Sequence, residues 1–403
     1  MSPKWTIRQR LNSFWRSGEC LFQSARSGST GSEISRRKCL VLVSKITLSA
    51  VIVLRGRLQN IASPLFQSPR FEGKVEPSSP EALRSQITPL DQFFVRSHHR
   101  EPNLPLVEWT VHVEGRVSHP FEATFSDLIL GPLTKLEAIL ECSGNDARGQ
   151  LVSNGNWEGV PMSYFLQQAV PDPSADRVLL QGADVGPLFA DSKPSRYMRI
   201  VPLYKCLAPE TLVAFRLNDR LLPYRNGFPA RALLPGHYGM DSVKWLERIV
   251  VLNPGDHPEA FHASEMEKLY NRVVIDAGTG ELKKSPVSEI VVKSLIVSPV
   301  DGARLTSGVS VVSGYAWSGR HLVSSVSVTT DGGKIWKVAE LDSTPKLFTW
   351  VKWRYNWDAS EGEYVLMSRA LDAAGNLQPI TRDPNRKDGY ELNWCATVRC
   401  SVR

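Results

Sequence analysis

Cysteine is scarce in this chain and poorly placed for cross-linking. Six cysteines among 403 residues do not make a disulfide framework, no two form C-x-x-C, and no C-x-x-C-H offers a covalent haem site. Cys395 and Cys400 are separated by an odd offset; on a strand their side chains would point to opposite faces, so both are expected as small buried apolar groups. Long apolar runs are missing as well. The stretch from Leu40 to Leu54 is broken by Ser44 and Lys45, too weak for a stable membrane span. Repeats and low-complexity tracts are absent. Acidic residues are nearly missing from residues 1–57, where only Glu19 and Glu33 face a long series of Lys and Arg. The formal net charge of +7 is therefore concentrated there, and no basic stripe interleaved with aromatics runs through the near-neutral remainder. That pattern gives no support to nucleic acid as a partner.

What is present suits a globular chain of two domains. Hydrophobic residues at 42% and charged residues at 22% are ordinary proportions, and 27 prolines with 28 glycines favour many short strands and turns. Residues 1–60 read as a basic leader. Ser35-Arg36-Arg37-Lys38 before a short, moderately apolar stretch has the pattern of a twin-arginine signal, which exports folded, cofactor-loaded proteins to the periplasm. The region before the arginines is long, no clean A-x-A site follows, and Arg55 and Arg57 sit where cleavage is expected. A disordered basic tail, or a start codon placed too far upstream, on a cytoplasmic protein is the alternative.

The body divides into residues 75–255, a linker over 256–289, and residues 290–403. Val107–Gly115 alternates as a strand, Thr124 or Ser126 opens a helix, and Lys135–Cys142 reads as a strand delivering a cysteine at its end. Trp157–Pro161 reads as a turn, Met162–Ala169 as a short helix, and Arg177–Gly182 as a strand. Leu212–Leu222 reads as two strands about a turn at Asn218-Asp219, and Val243–Leu252 as a buried strand. The first domain is thus expected to be α+β. From Lys293 the pattern is all-β, with alternating runs at Val309–Gly314, Val323–Thr329, Ile335–Leu341, Glu363–Leu371 and Ala396–Val402, the spacing of an immunoglobulin-like sandwich.

Chemistry concentrates at Leu140-Glu141-Cys142-Ser143-Gly144-Asn145. A thiol between an apolar run and a Ser-Gly-Asn turn is fixed by the backbone yet reachable, and a thiolate is a soft donor for a soft or high-valent metal. Phe93-Phe94-Val95-Arg96-Ser97-His98 precedes it. Trp157-Glu-Gly-Val-Pro161, Gly227-Phe-Pro-Ala-Arg231, Pro235-Gly236, Tyr238-Gly239 and Ser242-Val243-Lys244-Trp245-Leu246 follow. Gly314-Tyr-Ala-Trp-Ser-Gly319, Asp331-Gly-Gly-Lys-Ile-Trp336 and Arg369-Ala-Leu-Asp372 punctuate the last domain. In this order, over roughly residues 85–403, the set resembles the sulfite oxidase family of molybdopterin-dependent oxidoreductases, and within it a bacterial, haem-less, sulfite dehydrogenase-like member.

The resemblance implies a sulfite oxidase-type molybdopterin-binding domain followed by an immunoglobulin-like dimerisation domain. It implies one molybdenum–pyranopterin dithiolene cofactor, no haem, and Cys142 as the metal's protein ligand. Phe94, Val95, Arg96, Ser97, His98, Asp184, Asn226, Arg231, Ser242, Val243 and Lys244 fall at its cofactor-contacting positions. Arg96 and Tyr270 take catalytic places beside Cys142, with packing as the other role open to Tyr270. The implied reaction is oxygen-atom transfer to sulfite, with electrons leaving to an external c-type cytochrome from a homodimer. Two family arginines are missing: Ala147 and Asp388 stand at their positions, while Ser97 and Asn226 replace an asparagine and a histidine. A small dianion wants fixed guanidiniums. A different substrate on the same cofactor, including reduction of a sulfoxide or N-oxide, is therefore the second reading. A cofactor-less immunoglobulin-like interaction protein is the third.

Overall fold

A computed structural model describes residues 75–79, 82–187, 193–258, 261 and 269–403. The basic leader and its twin-arginine pattern lie outside these residues.

The first domain is built on two sheets. One runs Arg220–Leu221, Leu212–Leu217, Val152–Pro161, Thr134–Glu141, with Arg231–Leu233 also paired to Leu212–Leu217. The other runs Phe121–Thr124, Thr110–Gly115, Leu246–Leu252, Arg177–Gly186, Ser195–Pro202. Period-two patterning explains the second sheet: Val111 and Val113 are fully buried, while His112 and Glu114, which alternate with them, are not. Thr124, not Ser126, caps the helix Phe125–Leu130. Its hydroxyl accepts from the Asp127 N–H, and the Asp127 carboxylate accepts from the Thr124 N–H at 2.8 Å, a reciprocal box. Met162–Ala169 is helical because Met162, Phe165, Leu166 and Ala169 make one apolar face at helical spacing.

The first domain is mostly β, and its α-helices Phe125–Leu130, Met162–Ala169 and Leu203–Leu207 are short. Two expectations change. Trp157–Pro161 is not a turn but the end of the ten-residue strand Val152–Pro161, bulged between Glu158 and Gly159. Glycine is required there, since a Cβ on Gly159 would lie 2.4 Å from the Val213 carbonyl oxygen. The linker contains an antiparallel hairpin, Asn271–Ile275 with Leu282–Pro286, closed by Asp276 accepting from the N–H groups of Gly278 and Thr279.

The second domain has two sheets. One is Lys293–Ser298, Gly308–Trp317, Val351–Ala359, Glu340–Leu341; the other is Ala303–Leu305, Val398–Val402, Gly362–Asp372, Val323–Thr329, Lys337–Val338. Their inner faces share a core containing Val312, Val326, Trp353 and Leu366. Each such fully buried side chain contributes about 1.5–3 kcal/mol. Strand Val351–Ala359 was absent from the expected set, although it alternates buried Val351, Trp353, Trp357 and Ala359 with exposed neighbours. Cys395 and Cys400 are free and buried.

Candidate active site

Strand Thr134–Glu141 ends at the site, and the chain turns at once. The Asn145 N–H donates to the Cys142 carbonyl at 2.9 Å, and the Cys142 N–H to the Leu151 carbonyl at 2.9 Å. Asn145 ties both ends of the loop: its amide nitrogen donates to Glu141, and its side-chain oxygen accepts from the Leu151 N–H, each at 2.8 Å. The Cys142 side chain thereby enters a cavity of about 340 Å³. Burial raises its pKa, while the Gly144 N–H and the nearby Arg96 charge favour the thiolate.

The opposite wall is Phe94–His98. Phe93 packs edge-on against Trp157 with ring centres 5.6 Å apart, and the Phe94 N–H donates to the Ser153 hydroxyl at 3.0 Å. This apolar footing turns Arg96, Ser97 and His98 toward the cavity. His98 stacks on Tyr197 at 5.5 Å and hydrogen-bonds the Tyr270 hydroxyl. Burial first, then the charge of Arg96, pulls His98 down to about 4, so its ring is neutral at neutral pH. Burial likewise raises Tyr270 well above an ordinary phenol. Tyr270 adopts a left-handed backbone at φ 56°, an uncommon conformation for a non-glycine residue, at the foot of the hairpin where its carbonyl accepts from the Val287 N–H.

Two further cations, Arg231 and Lys244, line the cavity. The Arg231 guanidinium donates to the Asn226 and Ser242 carbonyls at 3.0 and 2.6 Å, with the Trp157 ring 5.5 Å behind it. This supplies a role for the tryptophan of the Trp157–Pro161 motif. Lys244 donates to the Ser97 hydroxyl and to the Arg225 carbonyl at 2.9 Å. Gly227, at φ 112°, permits the two cations to converge, because a Cβ there would come within 3.0 Å of Lys244 and 3.1 Å of Arg231. Burial lowers both cations, and it raises Asp184, whose charge in turn supports Lys244.

Of the residues expected from sequence, Phe94, Val95, Arg96, Ser97, His98, Cys142, Asp184, Asn226, Arg231, Ser242, Lys244 and Tyr270 all line this one cavity. Val243 does not; its side chain is fully buried and its carbonyl accepts from the Ala232 N–H at 2.8 Å. Tyr197, Met240 and Tyr390 line the cavity without having been expected. Behind them Arg199 is paired with Asp241 at 2.8 Å, and its guanidinium lies 4.9 Å over the Tyr270 ring.

Residues 98–258 match the oxidoreductase molybdopterin-binding domain family, and residues 284–386 match the Mo-co oxidoreductase dimerisation domain. Human mitochondrial sulfite oxidase is 30% identical over 335 residues, covering 76% of this chain and 60% of the human protein. The chain belongs to the sulfite oxidase family. Chicken sulfite oxidase is 28% identical over 338 residues, covering 77% of this chain and 72% of its own length. The sulfane dehydrogenase SoxCD from Paracoccus pantotrophus superposes with a TM-score of 0.71 at 26% identity, covering 83% of this chain and 86% of that one. The chain spans about 60% of the length of the human relative. Membership sets aside the reading as a cofactor-less interaction protein.

The cavity fits the family's cofactor chemically. Arg231, buried, and Lys244, half-buried, are cations suited to a phosphate. Asn226 Oδ1 and Ser143 Oγ are buried there with no hydrogen-bond partner among the described residues, the condition expected of groups that await a polar ligand. Among the described residues no three His, Cys, Asp or Glu side chains converge as a metal site. A metal at Cys142 would therefore draw its other donors from the organic cofactor.

Proposed function

We propose that this chain oxidises sulfite or a related small sulfur compound by oxygen-atom transfer at a molybdenum–pyranopterin cofactor. Sulfite and water give sulfate, two protons and two electrons, the electrons leaving singly to an external acceptor of the c-type cytochrome class. The observation that carries the reading is one cavity lined by the Cys142 thiol, Arg96 and Tyr270 together with buried Arg231 and half-buried Lys244. When bound, the cofactor supplies oxygen-atom transfer and two-electron storage. Cys142 would hold the metal, Arg231 and Lys244 the phosphate, and Asn226 and Asp184 the pterin's polar edge. Arg96 draws an anion toward Cys142. Neutral His98 orients the Tyr270 hydroxyl, which donates a hydrogen bond to the oxygen in transfer. Metal analysis with sulfite-dependent cytochrome c reduction tests this; molybdenum near one per chain and sulfite turnover are expected, and neither would appear if the reading is wrong.

A second reading, a sulfoxide or N-oxide substrate on the same cofactor, draws on two positions. Ala147 is buried, and the neighbouring Arg148 is turned to Asp301 at 3.8 Å. Asp388 is bound by Arg386 at 2.7 Å. Neither position brings a cation to Cys142. Comparative turnover of sulfite and methionine sulfoxide separates the readings.

The match to the dimerisation domain supports a homodimer, and the two-sheet core supports an immunoglobulin-like topology for that domain. The paired Arg36 and Arg37 support export to the periplasm.

A further inference from the structure

Glu141, the residue before Cys142, is buried, and its carboxylate reaches out of its own domain. One oxygen accepts from Trp317 Nε1 at 2.8 Å; the other accepts from Asn145 at 2.8 Å and lies 3.4 Å from Lys293 Nζ. Lys293 also donates to the Asp146 carbonyl at 2.5 Å. Lys293 and Trp317 belong to the second domain, on adjacent antiparallel strands whose register sets them directly opposite each other. That pairing holds both donors side by side against the cysteine loop. A further bond from the same domain, the Glu391 N–H to the Ser143 carbonyl at 2.9 Å, closes the other side, and Tyr390 next to it lines the cavity.

Stability does not explain this arrangement. A buried Lys–Glu pair costs desolvation on both sides, and apolar replacements of similar size are often neutral or better. What such a network does well is fix one geometry. We propose that Lys293, Trp317 and Glu141 form a cross-domain positioning device that sets the orientation of Cys142, which makes the second domain a working part of the active site. The effect on turnover rests on the reading of Cys142 as the molybdenum ligand; the effect on the loop does not.

The test uses the full chain with Trp317→Phe, which deletes one donor, Lys293→Met, and the double variant Lys293→Met with Glu141→Gln, which removes both charges should the single variant fail to fold. In cofactor-free protein, hydrogen exchange at the Asn145, Gly149 and Leu151 amides should accelerate at least tenfold, against unchanged exchange in the Val323–Thr329 strand. In loaded protein, molybdenum content should stay within twofold. The Mo(V) electron paramagnetic resonance spectrum should shift, and kcat per molybdenum should fall about tenfold with KM within twofold, since small misplacements are costly. Unchanged loop exchange would overturn the proposal. So would variants with altered melting but parental spectrum and kcat, which would mark a merely structural contact. Accelerated exchange in the variants, with a parent chain that takes up no molybdenum, would support the positioning of the loop while removing the proposed function.

Discussion

Replacing Arg231 by methionine separates the energetics of the empty fold from those of its anionic ligand. The Arg231 guanidinium is buried, donates to the Asn226 and Ser242 carbonyls and, at 3.4 Å, to that of Ala232, and has no carboxylate partner among the described residues. Burial draws it from an ordinary 12.5 to about 9, which stands for about 5 kcal/mol against its charged form. The sign follows from linkage: the penalty is complete below pH 9 and lifts only as the pH climbs toward the unfolded value. Methionine removes this penalty but leaves the Asn226 and Ser242 carbonyls unpaired, at about 1–3 kcal/mol each. The two effects are similar in size and opposite in sign. Cofactor-free protein should therefore change in stability by no more than about 3 kcal/mol, measured by urea unfolding of material from a host unable to make the pterin. Ligand binding has no such offset. Loss of a desolvated charge-assisted contact costs about 2–5 kcal/mol, or roughly 30- to 5,000-fold in affinity, and molybdenum content should collapse in protein from a competent host. A loss above about 4 kcal/mol in the empty chain would make Arg231 a structural cation rather than a waiting one. Parental molybdenum content would mean that the phosphate is held elsewhere. Either result refutes the reasoning.

His98 is depressed from 6.5 to about 4, so its neutral form belongs to the fold: its contribution is intact above pH 6.5 and up to about 3 kcal/mol is lost as the pH falls to 4. Circular dichroism across that window should show the loss, and His98→Gln should flatten it. Tyr270→Phe should lower kcat/KM about 10- to 100-fold with molybdenum content unchanged; an unchanged steady-state rate would assign Tyr270 to packing. Gly159→Ala would place a methyl group 2.4 Å from the Val213 carbonyl oxygen and 2.6 Å from Ala214 Cα. It should destabilise the first domain by about 2–3 kcal/mol in urea unfolding, leaving the cavity residues chemically intact.

Much of the fold was legible where local signals are strong. Met162–Ala169 and Val323–Thr329 appear with the expected bounds, because each shows its own period and has clear punctuation at its ends. Failures arose where tertiary contact supplies the information. Trp157-Glu-Gly-Val-Pro161 carries glycine and proline, the marks of a turn. Gly159 serves instead as a close-approach point beneath Val213, and Pro161 sits at the last position of the strand before a helix. The strand Val351–Ala359 was concealed by its charged and polar outer face, Lys352, Arg354, Asn356 and Asp358, around two buried tryptophans.

The site was legible as an ordered set of motifs, yet its charge could not be summed from the sequence. Asp388 in place of an arginine reads as added negative charge beside the substrate. In the fold it carries none of that charge into the cavity: it accepts from Arg386 and from the Val273 and Tyr390 N–H groups, tying the hairpin that bears Tyr270 to the segment that bears Tyr390. Arg272 and Arg386 are in turn held by Glu391 at 2.7 and 3.3 Å. Two guanidiniums and two carboxylates thus close on one another behind the cavity wall. What faces the region of Cys142 is Arg96, neutral His98 and three tyrosines, Tyr197, Tyr270 and Tyr390. An anionic sulfur substrate there would be oriented by one guanidinium and by phenolic hydrogen bonds, and Arg96→Met should raise KM for sulfite far more than KM for an uncharged sulfoxide. Equal effects on the two substrates would show that Arg96 acts on the cofactor side of the cavity and not on the substrate.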